Sequence, residues 1–192
     1  KEKTLIRCGG GAAFRPLFRA GSGAFSDVYV VSGDRDRLNL RVCKLTSAQD
    51  GRREFDLLRR LAHEHVCGDL SCEKLLEHPP LSRDDIAVQC GLFMPLYVDS
   101  WEDVRKWEGV HGVLVVRRIA EQMCAALAHV HGLGLAHCDV KPENVRFLRP
   151  VDMRHPMTVH VVLIDFNAYI DADYKVTRNY RPPELFGDAV DH

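Results

Sequence analysis

His137-Cys138-Asp139-Val140-Lys141-Pro142-Glu143-Asn144-Val145, followed twenty-one residues beyond Asn144 by the Asp165 of Leu163-Ile164-Asp165-Phe166-Asn167, is the stretch on which the fold turns. It sets an acid, an ammonium, an amide and a second acid between segments of opposite periodicity. Upstream, Val116, Ile119, Met123, Leu127 and Val130 fall on one stripe and predict a long helix over 112–131, stopped by Gly132-Leu133-Gly134. Downstream, two short strands read over 144–148 and 158–164, joined by a Pro-containing insertion at 149–157. The polar set therefore lies where a helix hands over to a strand pair.

Further toward the N-terminus the pattern changes. Strand signals occur at 14–19, 27–32 and 38–45 with a turn at Gly33-Asp34-Arg35-Asp36, a helix at 51–62, and strand-like runs at 73–78 and 86–97. Residues 1–13 are polar and then Gly-rich and read as a leader. Strands first and helices later predict an α+β protein of two lobes, 14–97 and 98–192.

Composition removes several function classes. At 46% hydrophobic the 192 residues can bury a core, and a net charge of −1 gives no basic field for nucleic acid. No apolar run reaches membrane-spanning length, and seven cysteines without a framework spacing suit a reducing, intracellular compartment. His63, His65, Cys67, Cys72 and His78 invite a zinc reading, but their spacing fits no common site and ordinary loop residues explain them.

The order of motifs resembles that of the eukaryotic protein kinases. Their catalytic loop reads H-R-D, then Lys two residues on and Asn three further, before D-F-G. The resemblance implies a bilobal protein kinase-like fold and a Ser/Thr kinase using ATP and Mg²⁺ on a protein substrate. In it Asp139 orients or deprotonates the hydroxyl, Lys141 neutralises the transferring phosphoryl, and Asn144 and Asp165 hold the metal.

Gly21-Ser22-Gly23-Ala24-Phe25-Ser26 and Val28 look like the Gly-rich loop over the phosphates, with Ser26 replacing the third Gly. Val42-Cys43-Lys44 resembles the strand whose Lys grips the α- and β-phosphates. On a helical wheel Glu54 sits amid Leu57, Leu58 and Leu61, so a carboxylate points at the core and requires a cation. Lys44 is the candidate partner, although the spacing is shorter than the family's; Glu64 is the fallback. Met94, Leu96 and Tyr97 resemble the segment that holds adenine, and Thr177-Arg178-Asn179-Tyr180-Arg181-Pro182-Pro183-Glu184 resembles T-R-x-Y-R-A-P-E, with Thr177 facing the substrate.

Four departures carry consequences. Cys138 replaces the Arg that pairs with a phosphorylated activation loop, so such phosphorylation is not expected to be a required switch. Asn167 replaces the Gly of D-F-G and is the non-glycine residue that best tolerates positive φ. Arg146 stands where the family keeps an apolar floor for adenine. The motifs reach only part of a complete kinase domain, so the chain reads as a piece of a longer protein that would expose an apolar face on its own. Two other functions stay open: a pseudokinase serving as a nucleotide-binding or scaffolding module, and a small-molecule phosphotransferase of kinase-like fold.

Overall fold

A computed structural model describes residues 4–22, 26–34, 36–81, 88–99, 101–106, 108–152 and 154–166. It contains two compact units, the first drawn from Lys1–Ala62 and Cys67–Leu96, the second from His63–Val66 and Tyr97–His192.

The first unit comprises β1 (Ile6–Cys8), β2 (Ala13–Ser22), β3 (Asp27–Gly33), β4 (Leu40–Thr46), α1 (Ala48–Arg60), β5 (Ser71–Glu77) and β6 (Cys90–Pro95). The strands close into an antiparallel barrel in the order β1-β2-β3-β4-β6-β5. Alternation along each strand sends Ile6, Cys8, Tyr29, Val31, Cys43, Leu45, Leu75 and Phe93 inward to one cluster. The ring of Phe14 lies 4.4 Å from that of Phe93.

The expected leader needs correction: Ile6–Cys8 is a strand of the barrel. Ile6 pairs with Phe14 and Arg7 with Ala13 on one side, while Arg7 opposes Glu77 and Cys8 opposes Leu75 across a bulge on the other. Ile6 and Cys8 point in and Arg7 points out, where its Nε lies 2.9 Å from Oε2 of Glu77. Three residues are too few for an alternation signal to stand out, and pairing with a strand some seventy positions away creates the element.

α1 begins three residues earlier than its apolar pattern because Ser47 caps it, its hydroxyl accepting from the Asp50 N–H at 3.1 Å. Gly51, Glu54, Leu57 and Leu58 form its buried face. Glycine at 51 permits close approach to β6: a Cβ there would sit 2.6 Å from Sγ of Cys90.

The second unit holds α2 (Trp101–Arg105), α3 (Gly109–Gly132), β7 (Val145–Phe147) and β8 (Val161–Leu163), with Val145 opposite Leu163 and Phe147 opposite Val161. His63–Val66 belongs here: the Leu163 N–H donates to the His65 carbonyl at 2.9 Å, and the imidazole Nδ1 of His65 bonds the Val161 carbonyl at 3.0 Å.

The stripe of α3 is shifted from its expected position. Val115, Ile119, Gln122, Ala126 and Val130 are buried, whereas Val116 is 59% exposed and joins Val110 and Val113 on the outer side. Met123 and Leu127 are half-buried. The run Val113-Leu114-Val115-Val116 is apolar all round, so periodicity leaves the phase open; packing on β8 decides it. Two hydrogen bonds account for the polar Gln122 in the buried stripe, its Nε2 donating to the Val159 carbonyl and its Oε1 accepting from the Val161 N–H, both at 2.7 Å. Gly134, at φ +71°, ends the helix by letting its own N–H reach the His131 carbonyl and the Leu135 N–H reach that of Val130.

Candidate functional site

In the second unit the loop 137–144 is tied to the end of β8 by backbone and imidazole bonds. His137 is 1% exposed; its Nδ1 accepts from the Asp139 N–H at 3.2 Å, which leaves Nε2–H to donate to the Ile164 carbonyl at 2.9 Å. Burial pushes its pKa below the ordinary value, so the ring stays neutral and its tautomer is fixed by these two bonds. The ring also packs against Phe166, centroids 4.5 Å apart. The Ile164 N–H donates to the Asn144 carbonyl at 2.9 Å, bringing the backbone of Asn144 beside the residue before Asp165.

These ties gather the polar set. Asp139 is 9% exposed, and its Oδ2 lies 2.6 Å from Nζ of Lys141. Nδ2 of Asn144 donates to the Asp139 carbonyl at 2.8 Å and to Oδ2 at 3.2 Å. Both Asn144 amide hydrogens are thereby directed at Asp139, so the Oδ1 atom is the one suited to a hard cation. Trp101 fastens the far side of the loop, its Nε1–H reaching the carbonyls of Pro142 at 2.9 Å and Val145 at 3.1 Å.

Backbone strain marks the same places. Cys138 has φ +65° and Asp165 φ +64°, a region that costs a non-glycine residue about 1–3 kcal/mol unless its surroundings enforce it. Cys138 directly precedes Asp139, and Asp165 stands at the end of the strand pair. Strain of this kind concentrates where side chains must be aimed rather than merely packed.

In the first unit, Nζ of Lys44 lies 2.8 Å from Oε2 of Glu54, with the residues 8% and 4% exposed. Glu54 is therefore the partner; Glu64 is exposed, lies beyond the end of α1 and belongs to the segment packed in the second unit. Strand register places Val28 opposite Lys44 and Val42 opposite Met94, so all four side chains share one face of the sheet. Gly21 and Ser22 end β2, Gly21 opposite Val28, and Ser26 immediately precedes β3. Leu96 and Tyr97 follow β6 and are half-buried. Arg146 projects from β7 to Asp99, Nη1 to Oδ2 2.9 Å. Gly23, Ala24, Phe25, Asn167, Thr177 and the remainder of the terminal motif lie outside the described residues.

Several of these placements have no counterpart in the expectations. The roles of His137 and Trp101 depend on carbonyls brought near only by folding. Gln122 had a signal of the kind that identified Glu54, a polar residue inside an apolar stripe, hidden by the one-residue phase error.

The family described as the protein kinase domain matches residues 16–191. Mitogen-activated protein kinase 12 of Homo sapiens is 28% identical over 186 residues, which is 91% of this chain and 47% of that relative. The serine/threonine-protein kinase SKS1 of Saccharomyces cerevisiae is 54% identical over 35 residues, 18% of this chain and 7% of that one. A crystal structure of Rad53 1-466 in complex with AMP-PNP superposes with a TM-score of 0.57 at 18% identity, over 80% of this chain and 38% of that one, a likeness of fold. The chain spans about half the length of the human relative. An α+β architecture of antiparallel strands and one helix followed by further helices accords with a match over most of its length: the chain belongs to the protein kinase domain family.

Proposed function

We propose that the chain is the core of an ATP-dependent protein serine/threonine kinase that moves the γ-phosphoryl group of ATP to a protein hydroxyl by in-line displacement. The observation that supports this most directly is Asp139, a nearly buried carboxylate held by Lys141 at 2.6 Å and Asn144 at 3.2 Å on a loop braced by His137. Asp139 orients the attacking hydroxyl and takes its proton as the bond forms. Lys141 offsets charge on the transferring phosphoryl oxygens.

Asn144 Oδ1 and the Asp165 carboxylate are hard oxygen donors at the ends of one strand pair, and they fit Mg²⁺ better than a softer metal. When bound, Mg²⁺ supplies neutralisation of the β- and γ-phosphate charge. Lys44, steadied by Glu54, holds the α- and β-phosphates. Gly21, Ser22, Gly23, Ala24, Phe25 and Ser26 cover the phosphates with main-chain N–H groups, while Val28, Val42, Met94, Leu96 and Tyr97 enclose the base; Thr177 meets the protein substrate. Among the described residues no helix is long and apolar enough to cross a membrane.

The decisive assay compares transfer from radiolabelled ATP to protein by the wild-type protein and its Asp139→Asn variant. Loss of about 10²–10⁴-fold is expected from removing a positioned acid–base group; equal transfer by both would sink the proposal. One observation favours a second reading, a nucleotide-binding pseudokinase: a guanidinium, Arg146, occupies a strand position where the family keeps an apolar residue, and pairs with Asp99. That reading predicts nucleotide binding with no Asp139-dependent transfer.

A further inference from the structure

Cys72 on β5 and Cys90 on β6 bring their sulfurs to 2.9 Å, both as free thiols. The strand register explains why. Cys72 opposes Leu92 and Lys74 opposes Cys90, so the two cysteines are diagonal neighbours on one face of the sheet. That face is the one α1 covers, and Gly51 of α1 rests on the Cys90 sulfur so closely that a methyl group there would collide with it.

The two thiols are chemically unequal. Cys72 is half-buried and within reach of solvent, whereas Cys90 is 3% exposed. The hydrogen bond between the two sulfurs lowers the Cys72 pKa below the ordinary value, Arg52 adding to the lowering while burial and the charges of Glu73 and Asp56 oppose it. The same hydrogen bond, with burial, pushes Cys90 far upward. One sulfur is thus suited to attack and its neighbour to resolve.

We propose that Cys72 and Cys90 form an oxidation site, in which a hydroperoxide converts the dithiol to a reversible disulfide linking β5 to β6 beneath α1. The Cys72 thiolate attacks one peroxide oxygen; an S–O bond forms, the O–O bond breaks, and the departing hydroxide or alkoxide takes up a proton. Cys72 is now a sulfenic acid. The Cys90 sulfur then attacks Cys72, forming the S–S bond as the S–OH bond breaks, and water leaves with the proton from Cys90. The two thiols lose two electrons and the peroxide gains them. Closure to an S–S bond of about 2.05 Å brings the sulfurs about 0.9 Å nearer than 2.9 Å, and because the Cα atoms of diagonal neighbours lie about 7–8 Å apart, β5 and β6 draw together locally as the bond forms.

The test treats the folded chain with a small excess of hydrogen peroxide, alkylates the remaining thiols, digests, and reads cross-linked peptides by mass spectrometry. The expected product is one peptide pair joined through Cys72 and Cys90, lighter by two hydrogens and restored by dithiothreitol. Cys90→Ser should arrest the reaction at a Cys72 sulfenic acid that dimedone labels, and Cys72→Ser should leave Cys90 a free thiol. The proposal is overturned by wild-type chain whose Cys72 and Cys90 are both alkylated after peroxide. It is equally overturned if the cross-link forms as readily in chain unfolded by guanidinium, or if Cys90 oxidises without Cys72. The wild-type measurement decides the matter even where a serine variant folds poorly.

Discussion

Lys44 and Glu54 meet at 2.8 Å inside the first unit although only ten residues of sequence separate them. The short separation is possible because Ser47 starts α1 almost as soon as β4 ends at Thr46, so the helix turns Glu54 back over the strand that carries Lys44. Both groups are nearly out of water, and neither is stable there without the other.

Removing one member should therefore be costly and removing both should not. Lys44→Met is expected to lower unfolding free energy by about 3–5 kcal/mol, because it strands a buried carboxylate. Lys44→Met combined with Glu54→Leu should recover most of that loss, since an apolar pair of similar volume needs no counter-charge. Urea unfolding of the four proteins in the cycle measures this; a double variant no more stable than Lys44→Met would contradict it. Phosphoryl transfer should be lost in both variants.

His137 and His65 both have pKa values lowered below the ordinary 6.5, burial being the largest cause in each. The unfolded chain therefore takes up protons on these rings at a higher pH than the folded chain does. Their contribution to stability is present above the unfolded value and is lost as pH falls through the lower folded values. Around His137 the Asp165 and Asp139 charges oppose the lowering and Lys141 adds to it. Melting temperature should fall from neutral pH to about 5.5, and His137→Gln should flatten part of that slope even if it lowers the melting temperature throughout. An unchanged slope would count against the buried neutral imidazole.

Gln122 joins α3 to the backbone on either side of His160 by two 2.7 Å bonds. Gln122→Leu keeps the volume but leaves the Val159 carbonyl and the Val161 N–H buried without this partner, at about 1–3 kcal/mol for each. Gln122→Glu places a carboxylate without a cation at this buried position, facing the Val159 carbonyl, so near neutral pH it should be the least stable of the three. Denaturant midpoints rank the three proteins.

Arg146→Leu tests the guanidinium on β7. It breaks an ion pair that is partly open to solvent, for which little stability is at stake, and restores an apolar surface at that strand position. The expected result is tighter nucleotide binding, seen as a lower KM for ATP with kcat little changed. A raised KM would mean that the arginine itself assists the nucleotide.

What could be read before folding followed from side-chain chemistry and strong periodicity. Glu54 was recognisable because a charge inside the Leu57, Leu58 and Leu61 arc demands a partner, and the loop 137–144 because four polar residues at fixed spacing rarely coincide. The phase of α3 was not recognisable, since Val115 and Val116 are interchangeable letters until β8 selects one. β1 was hidden for a different reason: Ile6–Cys8 gains its conformation from partners on β2 and β5. The positive φ of Cys138 and Asp165 likewise reflects bonds made by His137 and Asn144 across the fold rather than any local preference.

The brief β1 has a larger effect than its length suggests. By joining β2 to β5 it turns a sheet with two open borders into a ring, which denies incoming extended peptides a backbone to lengthen. Three residues make that seam, so it is the part most easily unfastened. Cleavage after Gly11 should increase self-association of the chain through newly bared borders, and light scattering before and after such a cut would register the change.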